Sequence, residues 1–236
     1  MNRKSPDRQN DGQLETFGDL SKAVNYNEWI FNLIKPHLGE RILEVGCGTG
    51  NMIRHLMDKD ILGVDIDPSY LQIARHKFKN KKNISFKLFD LEKGLKSFKK
   101  FKADTIVCIN VLEHIEKDDK FIGECESILS PGGKIILFAP AMPSLFNEMD
   151  KTYKHFRRYT KTEMFQKVNN HFDVKCCQYL NSLGVIGWWY NGRLLKRKII
   201  PQVHLSFFDR FFKYFILLEK LVPKPFGLSV FAVGQK

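Results

Sequence analysis

The sequence predicts a doubly wound α/β fold, in which helices cover both faces of a mostly parallel sheet. Short apolar runs alternate with helical patterns from about residue 41 to residue 179, and turns rich in glycine and proline separate them. The 236 residues are 43% apolar, which is enough for one hydrophobic core. Because ligands of such sheets bind beyond the carboxyl ends of the strands, the residues just after each strand are the candidates for function.

Six strands are predicted in the alternating part of the chain, and a seventh near its end. They are expected at 41–45, 61–65, 84–88, 105–110, 134–138, 172–179 and 228–233. One or two amphipathic helices are expected within 17–38, and single helices at 51–59, 68–78, 119–129 and 161–169.

Two segments do not fit the alternation. Residues 1–16 have the polar composition of a disordered tail, so one domain over 17–236 is expected. Residues 182–227 are rich in aromatic side chains and are expected to form a helical insertion, or lid, on the substrate side. Between 206 and 222 the apolar residues recur with a helical period.

The chain is strongly basic, with a formal net charge of +12, and most of the excess is lysine. A basic surface attracts polyanions, but lysine is less suited than arginine to bidentate phosphate recognition, so nucleic acid is the less favoured partner. The five cysteines show no zinc-ligand spacing, which is typical of a reduced intracellular protein. No signal peptide or apolar run long enough for a membrane span is found, so a cytoplasmic protein, or one peripheral to a membrane, is expected.

A glycine-rich turn follows the first predicted strand. Gly46, Gly48 and Gly50 have the spacing G-x-G-x-G around Cys47, directly after Glu44 and Val45. Glycine permits positive φ and lets the backbone approach a ligand closely. The spacing differs from the G-x-G-x-x-G of dinucleotide binders, which argues against a nicotinamide dehydrogenase. The loop alone predicts only a nucleotide-type ligand.

Polar side chains follow the next three strands. Asp65 ends the second strand, where a carboxylate can accept hydrogen bonds from ribose hydroxyls. Asp67 competes for that role, but capping of the following helix is favoured for it. Asp90 follows the third strand and is placed either for an adenine amino group or as a turn residue. Asn110 follows the fourth strand, where it would border the reacting part of the ligand.

This ordered set resembles the class I, Rossmann-like methyltransferases that depend on S-adenosyl-L-methionine (SAM). The matching segments are 44–50, 63–67, 89–91, 104–114 and 129–133, and the resemblance covers about 26–174 plus the last strand. It implies a seven-stranded sheet whose antiparallel last strand is inserted beside the sixth, and S-adenosyl-L-homocysteine as product. It implies cofactor contacts from Glu44, Gly46, Cys47, Gly48, Gly50, Asp65, Ile66, Asp90, Leu91 and Asn110.

The rest of the chain is similar to a bacterial subgroup often found among genes for cell-surface glycans and lipids. The similar segments are 26–29, 149–150 with 155–160, 187–193 and 225–229. No substrate follows from this similarity. It does place Tyr26, Trp188 and Trp189 among the predicted substrate-binding residues.

Three residues are candidates for catalysis. A base is needed only when the methyl acceptor is a hydroxyl or a similarly weak nucleophile. His155 is the first candidate because it forms a polar cluster with Arg157 and Arg158 after the fifth strand; His114 is the second, and Tyr159 could orient a substrate. Each histidine could instead be structural. The two arginines could clamp a carboxylate or phosphate of the substrate, or anchor their loop through salt bridges.

The acceptor is expected to be a small molecule, a glycan or a lipid-linked compound, with O-methylation favoured and no metal predicted. A second interpretation of 193–222 is contact with a membrane surface, because basic residues precede the aromatic helical pattern. Two alternatives stay open: an RNA or protein methyltransferase that uses the basic face, and a non-catalytic SAM-binding scaffold.

Overall fold

The structure, a computed structural model, describes residues 23–199, 202–219 and 225–236. Seven strands form one sheet in the order β3-β2-β1-β4-β5-β7-β6. The strands are β1 Arg41–Val45, β2 Asp60–Asp65, β3 Ile84–Leu88, β4 Thr105–Ile109, β5 Lys134–Pro140, β6 Asp173–Leu180 and β7 Ser229–Gln235. The first five are parallel, and β7 is inserted antiparallel between β5 and β6. The predicted fold class is therefore confirmed.

Seven α-helices occur in these described ranges. They are α1 Val24–Ile34, α2 Pro68–Lys77, α3 Asp118–Ile128, α4 Glu148–Thr152, α5 Lys161–Asn169, α6 Ser182–Trp189 and α7 Gln202–Glu219. A π-helical turn, Tyr190–Leu194, extends α6. The tail predicted for 1–16, together with 17–22, lies outside the described residues.

The sheet separates two hydrophobic clusters. Alternate residues of one strand enter different clusters, as the alternation of side chains along a strand requires: Ile106 and Cys108 join the first, and Val107 joins the second. Helices α3 and α5 pack in the first cluster, and α1 and α2 in the second. Both faces of the sheet are thus covered, and the carboxyl edge of β1–β4 is left to hold the site.

The helix predicted for 51–59 is wrong. The segment folds as turns with a 3₁₀-helix, Ile53–His55, and its backbone hydrogen bonds mostly join residues three apart. Met52, Ile53 and Leu56 are all buried in this short span. Few residues connect the glycine loop to β2. The segment therefore folds as tight turns, which bury these three side chains and still let the chain reach the strand.

The insertion predicted for 182–227 consists, where it is described, of α6, the π-helical turn and α7. The helix expected from 206 begins earlier, at Gln202, and is described as far as Glu219; residues 220–222 of that prediction lie outside the described part. Phe212 fixes α7 to α1, because its buried ring packs edge-on against Tyr26 and Trp29 at centroid distances of 5.5 and 5.3 Å. Among the described helices, none combines the length and apolar character needed to cross a bilayer.

Candidate active site

The predicted cofactor residues meet at the carboxyl edge of four neighbouring parallel strands. The sheet order β3-β2-β1-β4 places Asp90, Asp65, the loop after Val45, and Asn110 side by side in that order. We call this row the cofactor edge. Its arrangement follows from the sequence, because each residue comes directly after a strand whose neighbours are fixed by the fold.

The glycine loop needs glycine for two different reasons. Gly46 has φ +69°, and a Cβ there would lie 2.2 Å from Cγ2 of Val111, so the loop could not pass β4 with a larger residue. Gly48 has φ +51°, and a Cβ there would meet no heavy atom within 4 Å. The backbone at Gly48 therefore faces open space that a ligand can approach, as a SAM site requires.

Asp65 ties the loop to β2. One carboxylate oxygen accepts a hydrogen bond from the Gly48 amide at 2.8 Å, and the other accepts from the Asp67 amide at 2.9 Å. Each oxygen retains a lone pair for a ligand hydroxyl. Burial raises the pKa of the Asp65 carboxyl. Asp67 caps α2 by accepting from the Ser69 amide at 2.8 Å, as the sequence favoured.

Glu44 provides an independent test of fit for a cationic ligand. Its side chain is buried at the end of β1, and its Oε2 atom has no hydrogen-bond partner among the described residues. Burial, together with the nearby charge of Asp65, raises the pKa of Glu44 to about 8. SAM carries ammonium and sulfonium groups, and a cation beside the loop would favour the ionised form of this partnerless carboxyl, so the site suits SAM. Cys47 is buried in the core beneath the loop.

The predicted adenine side contains Asp90, Ile66 and Leu91. Asp90 caps the short 3₁₀-helix Leu91–Lys93 by accepting from the Glu92 amide at 3.1 Å. Ile66 is 67% exposed just after β2, and Leu91 is partly buried against the first cluster. An exposed apolar residue beside a carboxylate suits a flat heterocycle, but the adenine contacts of these residues stay a prediction.

A cavity of about 930 Å³ adjoins the cofactor edge at Asn110. We call it the acceptor cavity. Helices α6 and α7 contribute ten of its 23 lining residues, and most of these are apolar: Leu183, Ile186, Trp188, Phe207, Phe208, Phe215 and Leu218. Tyr26, which the sequence assigned to substrate binding, also lines it, and the pKa of its buried phenol is raised by burial. The phenol hydrogen-bonds to Asn110 and Ser229, so it joins the cavity to the cofactor edge.

The cavity has a polar floor, which consists of Glu113, His114 and His155. One donor atom from each of the three lies within 4.8 Å of the others. Glu113 is buried, its Oε2 has no hydrogen-bond partner within the described ranges, and burial raises its pKa to about 8. Burial and the adjacent His155 lower the pKa of His114 to about 4, so its imidazole is neutral at pH 7.

His155 is held in one orientation by a buried ion pair. Its Nδ1 lies 2.9 Å from Oδ1 of Asp150, and the same oxygen accepts from Nε of Arg158 at 2.8 Å. Because a carboxylate only accepts, Nδ1 carries the proton, and the lone pair of a neutral ring is then on Nε2. Nε2 lies 3.9 Å from Oε1 of Glu113, on the polar floor. This arrangement can take up a proton from a substrate hydroxyl.

The structure supports an anchoring role for the two arginines. Arg158 lines the cavity, but it binds Asp150 and the Ala141 carbonyl and stacks over Trp188, 4.3 Å from its ring centroid. Arg157 does not line the cavity; it pairs with Asp118 at 3.2 Å and donates to the Glu116 carbonyl at 2.9 Å. Both arginines are thus engaged in anchoring contacts, and a clamp on a substrate anion stays a prediction.

Two more predicted site residues lie elsewhere. Tyr159 is 1% exposed, and its hydroxyl is bonded to Oδ2 of Asp118 at 2.9 Å and the Leu112 carbonyl at 3.1 Å. Its substrate-orienting role is a misassignment, because the ring belongs to the first hydrophobic cluster. Trp189 is 48% exposed and does not line the cavity, whereas Trp188 does and donates to the Leu145 carbonyl at 3.2 Å.

Sequence reasoning did not assign roles in the site to Glu113 and Asp150. Glu113 precedes His114 in the segment after β4, so its place after a strand was a usable signal. Asp150 does not follow a strand; it lies five residues before His155 on α4, and the turn after α4 brings the two side chains together. The two imidazoles and the carboxylate of the floor are also a donor set that could hold a divalent cation, although no metal was predicted.

Comparison with known proteins agrees with this site. Residues 43–137 match a family model described as a methyltransferase domain. Ubiquinone biosynthesis O-methyltransferase of Coxiella burnetii is 32% identical over 100 residues, which are 41% of this chain and 42% of that protein. Demethylmenaquinone methyltransferase of Tropheryma whipplei is 30% identical over 156 residues, which are 64% of this chain and 61% of that protein.

A solved structure shares the fold. Coclaurine N-methyltransferase, bound to N-methylheliamine and S-adenosylhomocysteine, matches with a TM-score of 0.60 at 12% identity, over 89% of this chain and 72% of that one. Residues 43–137 are therefore similar to a methyltransferase domain, and the chain shares its fold with this solved structure. The chain spans less than two thirds of the length of the two curated relatives.

Proposed function

We propose that this protein transfers a methyl group from SAM to a hydroxyl group at the end of a largely apolar acceptor. The observation that carries the proposal is the acceptor cavity, which combines apolar walls with a polar floor beside the cofactor edge. Only one end of such a molecule can be polar, because the walls offer few partners for buried polar groups. A lipid-linked acceptor fits this description better than a free glycan.

The names of both relatives support an apolar acceptor, and one of them also names O-methylation. One is an O-methyltransferase of ubiquinone biosynthesis, and the other a demethylmenaquinone methyltransferase. Apolar walls built from Phe207, Phe208 and Phe215 suit a flat ring or an alkyl chain. We therefore place the acceptor among hydroxyl-bearing amphiphiles, with the apolar part along α6 and α7.

The polar floor supplies the proton acceptor. When bound, SAM supplies a methyl carbon made electrophilic by the sulfonium. His155 would take the hydroxyl proton on Nε2 and so free the acceptor oxygen to receive the methyl group that SAM supplies, with S-adenosyl-L-homocysteine as the leaving group. Asp150 keeps the ring in the required tautomer and stabilises the imidazolium that forms. Alignment in a dry cavity contributes the rest of the acceleration.

The test is transfer of a deuterated methyl group from labelled SAM to molecules of a cell extract, followed by mass spectrometry. We expect a labelled product that partitions into organic solvent, and no label with an acceptor whose hydroxyl is already methylated. A labelled product that is water-soluble, or methylated on carbon or nitrogen, would contradict the proposal. Repeating the assay with a chelator separates the two uses of the polar floor, because a base of protein origin keeps its activity without a divalent cation.

A further inference from the structure

The outer surface of the insertion carries exposed apolar side chains in ordered rows. Phe207, Phe211, Tyr214 and Leu218 are spaced along one stripe of α7, and their exposed fractions are 60, 38, 66 and 52%. We call them the α7 stripe. A soluble surface rarely aligns four large apolar residues in this way.

The neighbouring element continues the apolar surface. Exposed side chains of α6 and the segment after it are Ile186, Trp189, Tyr190, Leu194, Leu195 and Ile199, with exposed fractions from 39 to 66%. Tyr and Trp have an apolar body with a polar tip, which suits the boundary between water and lipid. The two elements together form one apolar face rather than scattered residues.

The exposed charges in the described parts of α6, the π-helical turn and α7 are all positive, and the exposed carboxylate of Glu148 on α4 lies near Lys198. Exposed basic residues accompany the apolar rows at Arg193, Lys196, Lys198, Arg210 and Lys213. The acidic residues within the described parts of α6–α7 are Asp209 and Glu219, and both are used internally. Asp209 accepts from the Tyr26 amide at 2.9 Å, and Glu219 accepts from the Ser182 amide at 3.2 Å. In the described ranges none of these five basic residues forms a salt bridge.

The acceptor cavity opens on this face. Ile186, Phe207 and Leu218 line the cavity and are at the same time 66, 60 and 52% exposed. A side chain that meets both the cavity and the solvent lies at its entrance. The entrance is therefore the meeting point of the apolar rows of α6 and α7.

From this arrangement we propose that α6 and α7 dock the protein on an anionic lipid bilayer, with the entrance of the acceptor cavity facing the lipid. The α7 stripe and Ile186 bury apolar area at the interface, and the basic residues meet the negative headgroups. An apolar acceptor then passes from the bilayer to the cavity without crossing water. This last step rests on the proposed function, whereas the docking itself does not.

Co-sedimentation with vesicles tests the docking without any acceptor. One set of vesicles is phosphatidylcholine alone, and the other contains about 30% phosphatidylglycerol, which gives a negative surface. We expect binding to the anionic vesicles, weakened by salt, and at least about tenfold weaker binding to the neutral ones. Absence of binding to anionic vesicles at low salt would overturn the proposal.

Two double variants and a matched control test whether α7 is the surface that binds the vesicles. Arg210→Gln with Lys213→Gln removes charge, and Tyr214→Ser with Leu217→Ser removes exposed apolar area; none of the four residues lines the cavity. Each double variant is expected to weaken binding about tenfold or more. The control, Lys99→Gln with Lys100→Gln, removes the same charge from an exposed segment between β3 and β4.

The control is expected to change vesicle affinity by less than about threefold, since its two charges lie away from the docking face. Equal weakening of vesicle binding by the Arg210→Gln/Lys213→Gln variant and by the Lys99→Gln/Lys100→Gln control would show general attraction of a basic protein to polyanions. That result would overturn the proposal. A change of oligomeric state in the Tyr214→Ser/Leu217→Ser variant, with unchanged vesicle binding, would assign the face to a second copy of the chain. Methyl transfer to the extracted acceptor in detergent solution, without vesicles, is measured in parallel, so that loss of docking and loss of the proposed function remain distinguishable.

Discussion

The cofactor edge and the acceptor cavity are built by opposite rules. The edge takes its residues from strand ends and a short loop, so its geometry is set by backbone conformation and by the order of β3, β2, β1 and β4. The cavity takes its residues mainly from α1, the segments after β4 and β5, α6 and α7, which meet through contacts between parts of the chain that are distant in sequence. A donor site can therefore be fixed locally, whereas an acceptor site depends on contacts between distant parts of the chain.

The largest expected effect concerns the cavity. His155→Ala removes the proton acceptor, and kcat is expected to fall by about 10²–10⁴-fold while SAM affinity stays within about twofold. Steady-state kinetics and calorimetry measure the two quantities. The control is His76→Ala on the exposed surface of α2. If SAM affinity falls together with kcat, the cofactor edge and the acceptor cavity do not act independently.

Asp65→Ala tests the edge. Loss of a carboxylate that binds ribose hydroxyls and holds the Gly48 amide is expected to weaken SAM binding by about 10–100-fold. Asp67→Ala is the matched control, because Asp67 caps α2 and its loss is expected to cost about 1 kcal/mol of stability without changing SAM affinity. Unchanged affinity in the Asp65 variant, measured by calorimetry, would remove this residue from the cofactor site.

Within the cofactor edge, Gly46 and Gly48 differ in what surrounds them, so their alanine variants are expected to behave differently. Both have positive φ, so an alanine at either costs about 1–2 kcal/mol of strain. Gly46→Ala also clashes with Val111, whereas Gly48→Ala enters open space. We therefore expect the lower unfolding temperature for the first variant, and weaker SAM binding at a retained fold for the second. The reverse order of unfolding temperatures would contradict the geometry of the loop.

The most gradual of the expected effects is the pH dependence of stability through Glu44. Its folded pKa of about 8 lies above the ordinary value of 4.5, so the folded state holds a proton that the unfolded state loses. The contribution is complete below pH 4.5 and is lost as pH rises towards 8, at up to about 1 kcal/mol per pH unit. Glu44→Gln should flatten thermal unfolding profiles between pH 5 and 8. Equal slopes in the two proteins would show that Glu44 is not buried as a neutral acid.

The sequence also predicted local structure unevenly. The bounds of β1, β3 and α5 were predicted residue for residue, because apolar period, turns and caps agree there. The helix at 51–59 was predicted on periodicity alone and was wrong, since the short connection to β2 favours tighter turns. Tyr159 shows the same limit in the site: a tyrosine after a strand looks available to a substrate, but Asp118 and the core hold it.

The placement of the cofactor edge, the methyl-donor side of this protein, follows from the sequence. Glycines, Asp65, Asp90 and Asn110 are each placed by the strand that precedes them, and strand order follows from the alternation of elements. Only the tertiary structure decided the acceptor half. Glu113 comes from a different segment than Asp150 and His155, and Tyr26 of α1 contacts Asp209 of α7 across 183 residues of sequence. The physical reason is that backbone geometry propagates only through neighbouring residues, whereas a cavity is the space that remains after the whole chain has packed.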